Sequence, residues 1–459
     1  MRGGEKFQGI NGLRELAAKY DAQGPRYTSY PTAPHFSPEC DRDSLVRRAV
    51  ESAAPRSLYI HIPFCRSICF FCGCSSSVCL DPAKADAYLG LLKRELELWR
   101  DSGLGRCALG QAHFGGGTPN FLEPGQITGL SEIIGEFFDF ESGCEFSTEL
   151  DPRTLTREKV EAFAKIGVNR ASIGIQDTNP DVQKAINRVQ PQSVNLESVA
   201  ALRECGIMRI NVDVIYGLPL QTPQKFEKTL DDCLALKPDR IALFNYAHVP
   251  WIKSAQRAME KFPIPHGDEK LALFSLAMER FEDAGFEYIG LDHFARPKDE
   301  LMEARKNGTL QRNFQGYSTR AGLESFGIGL TSISQTRDSY RQNRKIQAEY
   351  EGSLAAGRLP VERGIVLADE DILRREVIMD VMCLLNVDFG KFESKYGIDF
   401  RKKFAAAFPA LENMQKDGLL EMRSGGFGVS PLGRLFLRNI AMLFDGYLPT
   451  DSARYSKTL

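Results

Sequence analysis

Short apolar runs alternate with longer amphipathic segments through the middle of the chain. The apolar runs predict strands over residues 58–62, 112–114, 144–150, 170–175, 209–216, 240–246 and 286–291. The helical spacing of apolar residues between them predicts helices, for example over 84–100, 157–167 and 224–236. Such alternation is typical of parallel strands joined by helices. We therefore expect an α/β fold whose core is a partial TIM-like (β/α)6 barrel.

Both flanks of this repeating region have a different pattern. Residues 24–38 contain four prolines, and the whole segment 1–55 is expected to be irregular. After about residue 340 the strand rhythm ends, and amphipathic helices are predicted over 371–385 and 432–444 with a hairpin over 418–430. The expected division is an N-terminal segment (1–55), a barrel with extensions (56–364) and a small, mainly helical domain (365–459).

Polar and glycine-rich motifs follow most of the predicted strands. They are GGGTP (115–119), ELDP (149–152), IQD (175–177), VDVIYGLP (212–219) and NYAHVP (245–250). A cluster of cysteines follows the first strand in the same way. Because the carboxyl ends of parallel strands lie at one edge of a sheet, we expect all these motifs to meet there.

The cysteine cluster has the spacing C-x3-C-x2-C-x-C, formed by Cys65, Cys69, Cys72 and Cys74, with Cys79 nearby. Four thiolates can bind a tetrahedral zinc ion, and unligated structural cysteines are a second alternative. A third is a [4Fe–4S] cluster on the first three thiolates, with one iron open to a ligand. The third is favoured, because C-x3-C-x2-C after the first barrel strand is the signature of radical S-adenosylmethionine (SAM) enzymes.

Each polar residue at the strand ends has a structural interpretation beside a functional one. The Gly115–Gly117 run forms either an ordinary tight turn or backbone that binds an anion. Glu149 suits a ribose diol or a strand-end salt bridge, and Asp213 is either a ligand group or a buried structural acceptor. Gln176 offers an amide, and Arg188 is either a bidentate cation for a carboxylate or part of a solvated helix surface. For His61 and His113, which lie in predicted strands, we expect packing in the core rather than a role as ligands.

Composition excludes some classes of function. The 459 residues carry a formal net charge of -2, which gives no general attraction to nucleic acid or to an anionic membrane. The N-terminus has no apolar signal-peptide core, and no apolar run reaches the roughly 18 residues of a membrane helix. We expect a cytoplasmic protein with neither a nucleic-acid nor a membrane partner.

Motifs along nearly the whole chain resemble one family, the oxygen-independent coproporphyrinogen III oxidases, which are radical SAM enzymes of haem biosynthesis. The similar segments are GPRYTSYPTA, YIHIPFC, CGC, GGGTP, ELDPR, NVDVIYGLP, FNYAH, LDHFARP, RNFQGY and GRLFLRNIAMLFD. The N-terminal segment, the fourth cysteine and the last domain are specific to this branch. One departure is the sequence SSSVC after Cys74, where the family pattern has Asn.

The resemblance implies the following site. The cluster ligands are Cys65, Cys69 and Cys72. The iron-bound SAM is contacted by Tyr59, Gly116, Glu149 and Ile333. A second SAM is contacted by Phe71, Gly117, Thr118, Gln176, Arg188, Asp213 and Ala247. Cys74 lies beside the cluster without ligating it, and no catalytic side chain is implied beyond the cluster and the radical that it generates from SAM.

The implied reaction removes a hydrogen atom from two propionate side chains of coproporphyrinogen III, which lose CO2 and become the vinyl groups of protoporphyrinogen IX. An electron donor and an electron acceptor, both unidentified, are required, and a monomer is implied. Hypothetical partners of the propionates are Arg26, Arg296 and Arg312. The N-terminal segment with Tyr27 and Tyr30 is expected to pack on the domain or to close over the site.

Three alternatives stay open at this point. A haem-binding chaperone or a haem-opening radical SAM enzyme shares the barrel, but usually lacks the fourth cysteine or the GPRYTSYPT segment. A non-catalytic zinc-binding barrel is colourless and contains no iron. Nucleic-acid modification is disfavoured, because the chain has no basic patch interleaved with aromatic residues.

Overall fold

The computed structural model describes residues 10–448, and the chain divides into two compact units. The sheet unit comprises Phe36–His266 and Gly322–Val366. Among the described residues, the terminal unit comprises 10–35, Gly267–Ala321 and 367–448. Residues 1–9 of the predicted N-terminal segment and 449–459 of the predicted C-terminal domain lie outside the described residues. The three-domain division stays a prediction.

Six parallel strands in chain order form the centre of the sheet unit. They are β1 (Arg56–Ile62), β2 (Cys107–Gly116), β3 (Phe138–Leu150), β4 (Arg170–Gln176), β5 (Arg209–Tyr216) and β6 (Arg240–Asn245). Each pairs in parallel with the next. The predicted α/β fold with a parallel sheet is therefore confirmed.

Four further strands extend this sheet beyond β1. They are β7 (Glu324–Ile328), β8 (Ile333–Gln335), β9 (Ser339–Asn343) and β10 (Val361–Val366). β7 pairs in parallel with β1, and each later strand pairs antiparallel with the one before it. The expectation that the strand rhythm ends near residue 340 is wrong, since β9 and β10 follow it.

The sheet is covered by helices, and capping side chains mark the start of several of them. They are Arg42–Glu51, Ala83–Asp101, Pro124–Phe137, Arg157–Lys165, Pro180–Ala185, Gln192–Glu204, Pro223–Ala235 and Gln347–Ala355. Thr156 and Thr222 each precede a helix, and each side chain accepts the backbone N–H three residues later. The longest helix buries Leu92, Leu96 and Trp99 in the core. This packing fixes the carboxyl ends of the strands.

The terminal unit is mainly helical. Its helices are Ile10–Lys19, Gly267–Asp283, Glu300–Lys306, Asp369–Met379, Phe389–Tyr396, Phe400–Lys403, Phe408–Lys416 and Leu437–Met442. Its strands are Glu287–Gly290, His293–Ala295, Gln311–Asn313, Gly316–Ser318, Asn386–Asp388, Leu420–Arg423 and Gly426–Val429. The predicted hairpin over 418–430 is confirmed, as the last two strands pair antiparallel. Glu287–Gly290, predicted as a seventh barrel strand, pairs antiparallel with His293–Ala295.

The N-terminal segment is less irregular than its prolines predicted. Helices cover Ile10–Lys19 and Arg42–Glu51, and the second begins where the Asp41 side chain accepts the Ser44 N–H at 3.0 Å. The irregular stretch between them is anchored within the terminal unit: the Tyr27 hydroxyl donates to Asp445 at 2.8 Å. In the described part of the chain, no helix combines the length and the apolar character that a membrane span needs.

Candidate functional site

The cysteine loop is a closed structure at the carboxyl end of β1. Phe64–Cys65 pairs in parallel with Ser77–Val78, and the Cys79 N–H donates to the Cys65 carbonyl at 2.9 Å. Within the loop, the Cys72 N–H donates to the Cys69 carbonyl at 3.0 Å, which makes a tight turn. The three predicted ligands therefore belong to one short loop whose two ends are held together.

Polar groups from other strand ends surround two of these thiols. The Cys65 Sγ lies 3.3 Å from the Thr118 hydroxyl. The Cys69 Sγ accepts hydrogen bonds from Arg153 Nη2 at 3.4 Å and Arg188 Nη1 at 3.5 Å. Donors and cations of this kind stabilise thiolates and the negative charge of an iron–sulfur cluster. This donor set fits the predicted cluster, which each thiolate would join at a different iron.

The geometry gives less support to a site for a single metal ion than to a cluster site. Among residues 10–448, no three Cys, His, Asp or Glu side chains converge in a way that holds one metal ion. The Cys74 N–H donates to the Cys72 Sγ at 3.3 Å, and the Cys74 carbonyl accepts from Lys253 Nζ at 2.8 Å. Cys74 thus lies beside the predicted ligands.

The glycine run after β2 lets two chain segments approach closely. Gly116 has φ +115°, and a Cβ there would lie 2.8 Å from the His61 ring. A Cβ on Gly117 would lie 2.8 Å from the Phe64 carbonyl oxygen, and its N–H donates to the Ile62 carbonyl at 2.7 Å. The turn is therefore packed directly against the start of the cysteine loop, as only glycine permits.

Glu149 lies next to this turn. One of its carboxylate oxygens accepts the Gly116 N–H at 3.3 Å, and the other lies 3.4 Å from His113 Nε2. Its side chain is 44% exposed, so acceptor sites remain for a ligand. The structure therefore brings Glu149 and the glycine turn together, as the strand-end argument predicted.

The two strand histidines have more specific contacts than core packing required. His61 Nε2 donates to the Ser75 carbonyl at 2.8 Å, which leaves Nδ1 to accept the Tyr59 hydroxyl at 3.1 Å. Burial lowers the pKa of His61, which favours this neutral form. The Tyr59 ring stacks on His113 with centroids 5.9 Å apart. Tyr59 and His61 are two residues apart in a strand, so their side chains lie on the same face of β1. This spacing is visible in the sequence and could have predicted their contact.

A second polar group lies within the neighbouring strands β4 and β5. Asp213 accepts from Ser172 Oγ at 3.0 Å and from Asn211 Nδ2 at 2.8 Å. Burial, and then the charge of Glu149, raises the pKa of Asp213 to about 7. The charge of Glu149 thus gives this region a negative potential, and a cationic ligand would favour the ionised form of Asp213 as well.

Arg188 and Gln176 meet at Gly174. Arg188 Nη2 donates to the Gly174 carbonyl at 2.7 Å, and both Nη atoms contact Asp151 at 3.2 and 3.3 Å. Gln176 has φ +67°, and in the described part of the chain its buried Oε1 has no hydrogen-bond partner. An unpaired buried acceptor in this position fits a ligand that carries a donor.

The remaining residues predicted to contact SAM are Phe71, Ala247 and Ile333. Gln256 Nε2 donates to the carbonyls of Phe71 at 3.3 Å and Ala247 at 3.2 Å, which brings these two residues together. Ile333 begins β8, two strands away from β1. Sequence reasoning assigned no role to Gln256, Asp151 or Arg153, although ELDPR was one of its motifs.

Comparison with known proteins identifies the family. The model of the Radical SAM superfamily matches residues 59–233, and that of the HemN C-terminal domain matches residues 367–436. Oxygen-independent coproporphyrinogen III oxidase of Helicobacter pylori is 43% identical over 97% of this chain and 99% of its own length. The enzyme of the same name from Pseudomonas aeruginosa is 40% identical over 97% and 98%.

The solved structure of coproporphyrinogen III oxidase (HemN) from Escherichia coli, described as a radical SAM enzyme, is similar over 92% of this chain and 98% of that chain. Its TM-score is 0.89 and its sequence identity is 38%. The chain belongs to the family of oxygen-independent coproporphyrinogen III oxidases in the radical SAM superfamily.

Proposed function

We propose that this protein converts coproporphyrinogen III to protoporphyrinogen IX without O2, by oxidative decarboxylation of two propionate side chains to vinyl groups. The observation that carries this proposal is the meeting of the three-cysteine loop with Gly116 and Glu149 at the carboxyl ends of adjacent parallel strands. The propionate carbon–hydrogen bond is unactivated, and the described site offers no acid or base able to break it.

Cys65, Cys69 and Cys72 would hold a [4Fe–4S] cluster through their thiolates. When bound, the cluster and SAM supply a 5′-deoxyadenosyl radical that abstracts hydrogen. The chain itself orients these groups: the backbone hydrogen bond from the Cys79 N–H to the Cys65 carbonyl closes the loop, and the His61 side chain holds the loop at the Ser75 carbonyl. These two contacts would hold the reacting groups in one fixed arrangement.

Two SAM sites are part of the proposal. The first, on the open iron, is formed by Tyr59, Gly116, Glu149 and Ile333. The second is formed by Phe71, Gly117, Thr118, Gln176, Arg188, Asp213 and Ala247. The negative potential of Glu149 and Asp213 suits the positive sulfonium of SAM, and the unpaired Gln176 Oε1 suits a donor on it.

Each of the three hypothetical propionate partners in the terminal unit already has a contact within the protein, and Arg312 Nε donates to the Arg26 carbonyl at 3.4 Å. Arg26 forms an ion pair with Asp292, and Arg296 donates to the Ala284 carbonyl at 2.6 Å. Arg312 is buried over the Tyr317 ring, and its Nη1 has no partner in the described residues. Arg312 is therefore the strongest of the three candidates for a propionate carboxylate.

We also propose that the protein is a cytoplasmic monomer that requires a separate one-electron donor and an electron acceptor. The boundaries 1–55, 56–364 and 365–459 are retained as the proposed functional segments. The N-terminal segment is proposed to shield the radical from solvent.

An anaerobic assay of the iron-loaded protein tests the function. SAM, a reductant and coproporphyrinogen III are added, and porphyrin products are separated by chromatography. We expect a two-vinyl product with methionine and 5′-deoxyadenosine. Cys69→Ser abolishes both SAM cleavage and vinyl formation, whereas the control Cys144→Ser, outside the loop, retains them. SAM cleavage without a vinyl product would keep the radical chemistry and reject this substrate.

A further inference from the structure

Arg153 lies in the short turn Pro152–Thr154 that follows β3. Its guanidinium makes two kinds of contact. Nε donates to Asp151 at 3.0 and 3.2 Å, and Nη2 donates to the same carboxylate at 2.7 Å. Nη2 also donates to the Cys69 Sγ at 3.4 Å. One arginine therefore joins a buried carboxylate to a predicted cluster ligand.

This contact is held in place by a chain of buried groups. The Asp151 N–H donates to Asn120 Oδ1 at 2.9 Å, and Asn120 Nδ2 returns a bond to the Asp151 carbonyl at 3.0 Å. Asn120 is fully buried, and its own carbonyl accepts from the buried Lys159 Nζ at 3.0 Å. Because Asp151 has little freedom to move, the fork of Arg153 is aimed at the sulfur in a fixed orientation.

The charges in this group do not cancel. Arg153 and Arg188 both contact Asp151 and both donate to Cys69, which leaves one positive charge in excess beside the sulfur. Reduction adds one electron to an iron–sulfur cluster and makes its ligand sulfurs more negative. A fixed N–H donor and an excess cation therefore stabilise the reduced state more than the oxidised state.

We propose that Arg153, oriented by Asp151, is a positioning residue that raises the reduction potential of the cluster through its hydrogen bond to Cys69. This inference rests on the proposed function, because it requires the cluster on Cys65, Cys69 and Cys72. A residue that only completed the fold would change the amount of folded protein, not the potential of the loaded cluster.

The test is a redox titration of the reconstituted full-length protein under anaerobic conditions, without SAM, with dithionite as the electron source. The cluster takes up one electron and no proton, and the reduced form is counted by electron paramagnetic resonance. For Arg153→Gln we expect the ratio of reduced to oxidised cluster at a fixed potential to fall about tenfold, a shift of about 59 mV to lower potential for one electron.

Two further variants complete the experiment. Arg153→Lys keeps the charge but cannot bind Asp151 in two places and also reach the sulfur, so a smaller shift in the same direction is expected. The control is Arg157→Gln, whose exposed side chain forms ion pairs with Glu161 and Glu204; its potential stays at the wild-type value.

Two failures are distinguishable. A wild-type chain that binds no iron and sulfide would overturn the proposed function itself. Fully loaded Arg153→Gln with an unchanged potential would overturn only the role of Arg153. If Arg153→Gln does not bind iron and sulfide, the Arg153→Lys variant provides the test. A reduction potential equal to that of wild type rejects the proposal, and a lower reduction potential supports it.

Discussion

Asp213→Asn should make the stability of the apo protein less dependent on pH. Burial raises the pKa of Asp213 from its ordinary value of 3.8 to about 7. The folded protein thus binds a proton more tightly than the unfolded chain does, and this group stabilises the fold fully below about pH 4. That contribution is lost as the pH rises to about 7.

The magnitude follows from linkage. A pKa moved from 3.8 to about 7 corresponds to about 4 kcal/mol, since one pKa unit is worth about 1.4 kcal/mol. Because the protein and nearby water relax around a charged carboxylate, this figure is an upper bound, and we expect about 2 kcal/mol in practice. The neutral amide keeps the shape of the carboxylate without its charge, so the variant should be more stable than wild type above pH 7 and about equal at pH 4.

The assay is urea unfolding of the apo protein followed by circular dichroism at pH 4, 5, 6, 7 and 8, values that cover the interval between the two pKa values. The control is Asp101→Asn, an exposed carboxylate at the end of a helix. A stability difference between Asp213→Asn and wild type that is the same at every pH would refute the reasoning. It would mean that Asp213 is charged at all these pH values, balanced by a group other than those named.

Two other predictions concern the cysteine loop and the contacts of Tyr88. Cys72→Ser should lose the cluster, measured as iron and sulfide per chain after reconstitution, whereas Cys74→Ser should retain it; equal loss in both would favour a four-thiolate site. Tyr88→Phe should destabilise the protein by about 2 kcal/mol, because it leaves two buried backbone groups unpaired. The Tyr88 hydroxyl donates to the His61 carbonyl at 2.8 Å and accepts the Leu330 N–H at 2.9 Å. Urea unfolding of Tyr88→Phe beside wild type measures this difference, and an unchanged free energy of unfolding would contradict the prediction.

Local patterns in the sequence were enough to predict the parallel strands and the cysteine loop. Apolar runs and short-range cysteine spacing are properties of adjacent residues, and the strand-end rule then placed Glu149 and Asp213 together. The strand Ser339–Asn343 was missed because its sequence, SYRQN, has no apolar alternation. Its polar side chains are nevertheless buried: Arg341 lies over the Trp99 ring, and Asn343 donates to Glu95 at 2.7 Å.

The partners of such residues are distant in the sequence, so no local pattern predicts them. The same holds for Arg153: as part of ELDPR it resembles an ordinary ion pair with its neighbour Asp151. Only the folded chain shows that the pair lies beside Cys69, which is 84 positions away. The N-terminal segment was misjudged for a different reason, since prolines in residues 24–38 say nothing about the helices on either side.

The charges at the strand ends argue that the site is built for ligands rather than for stability. Glu149 and Asp213 place negative charge at one side, and Arg153 with Arg188 leaves positive charge in excess at Cys69. Unbalanced charge lowers the stability of the folded chain, so a sequence under selection for stability alone would replace it with paired or apolar groups. Its presence at the carboxyl ends of the parallel strands is explained if bound groups complete the balance. A cationic sulfonium suits the carboxylates, and an electron-rich cluster suits the arginines, which is the pair of cofactors that the family requires.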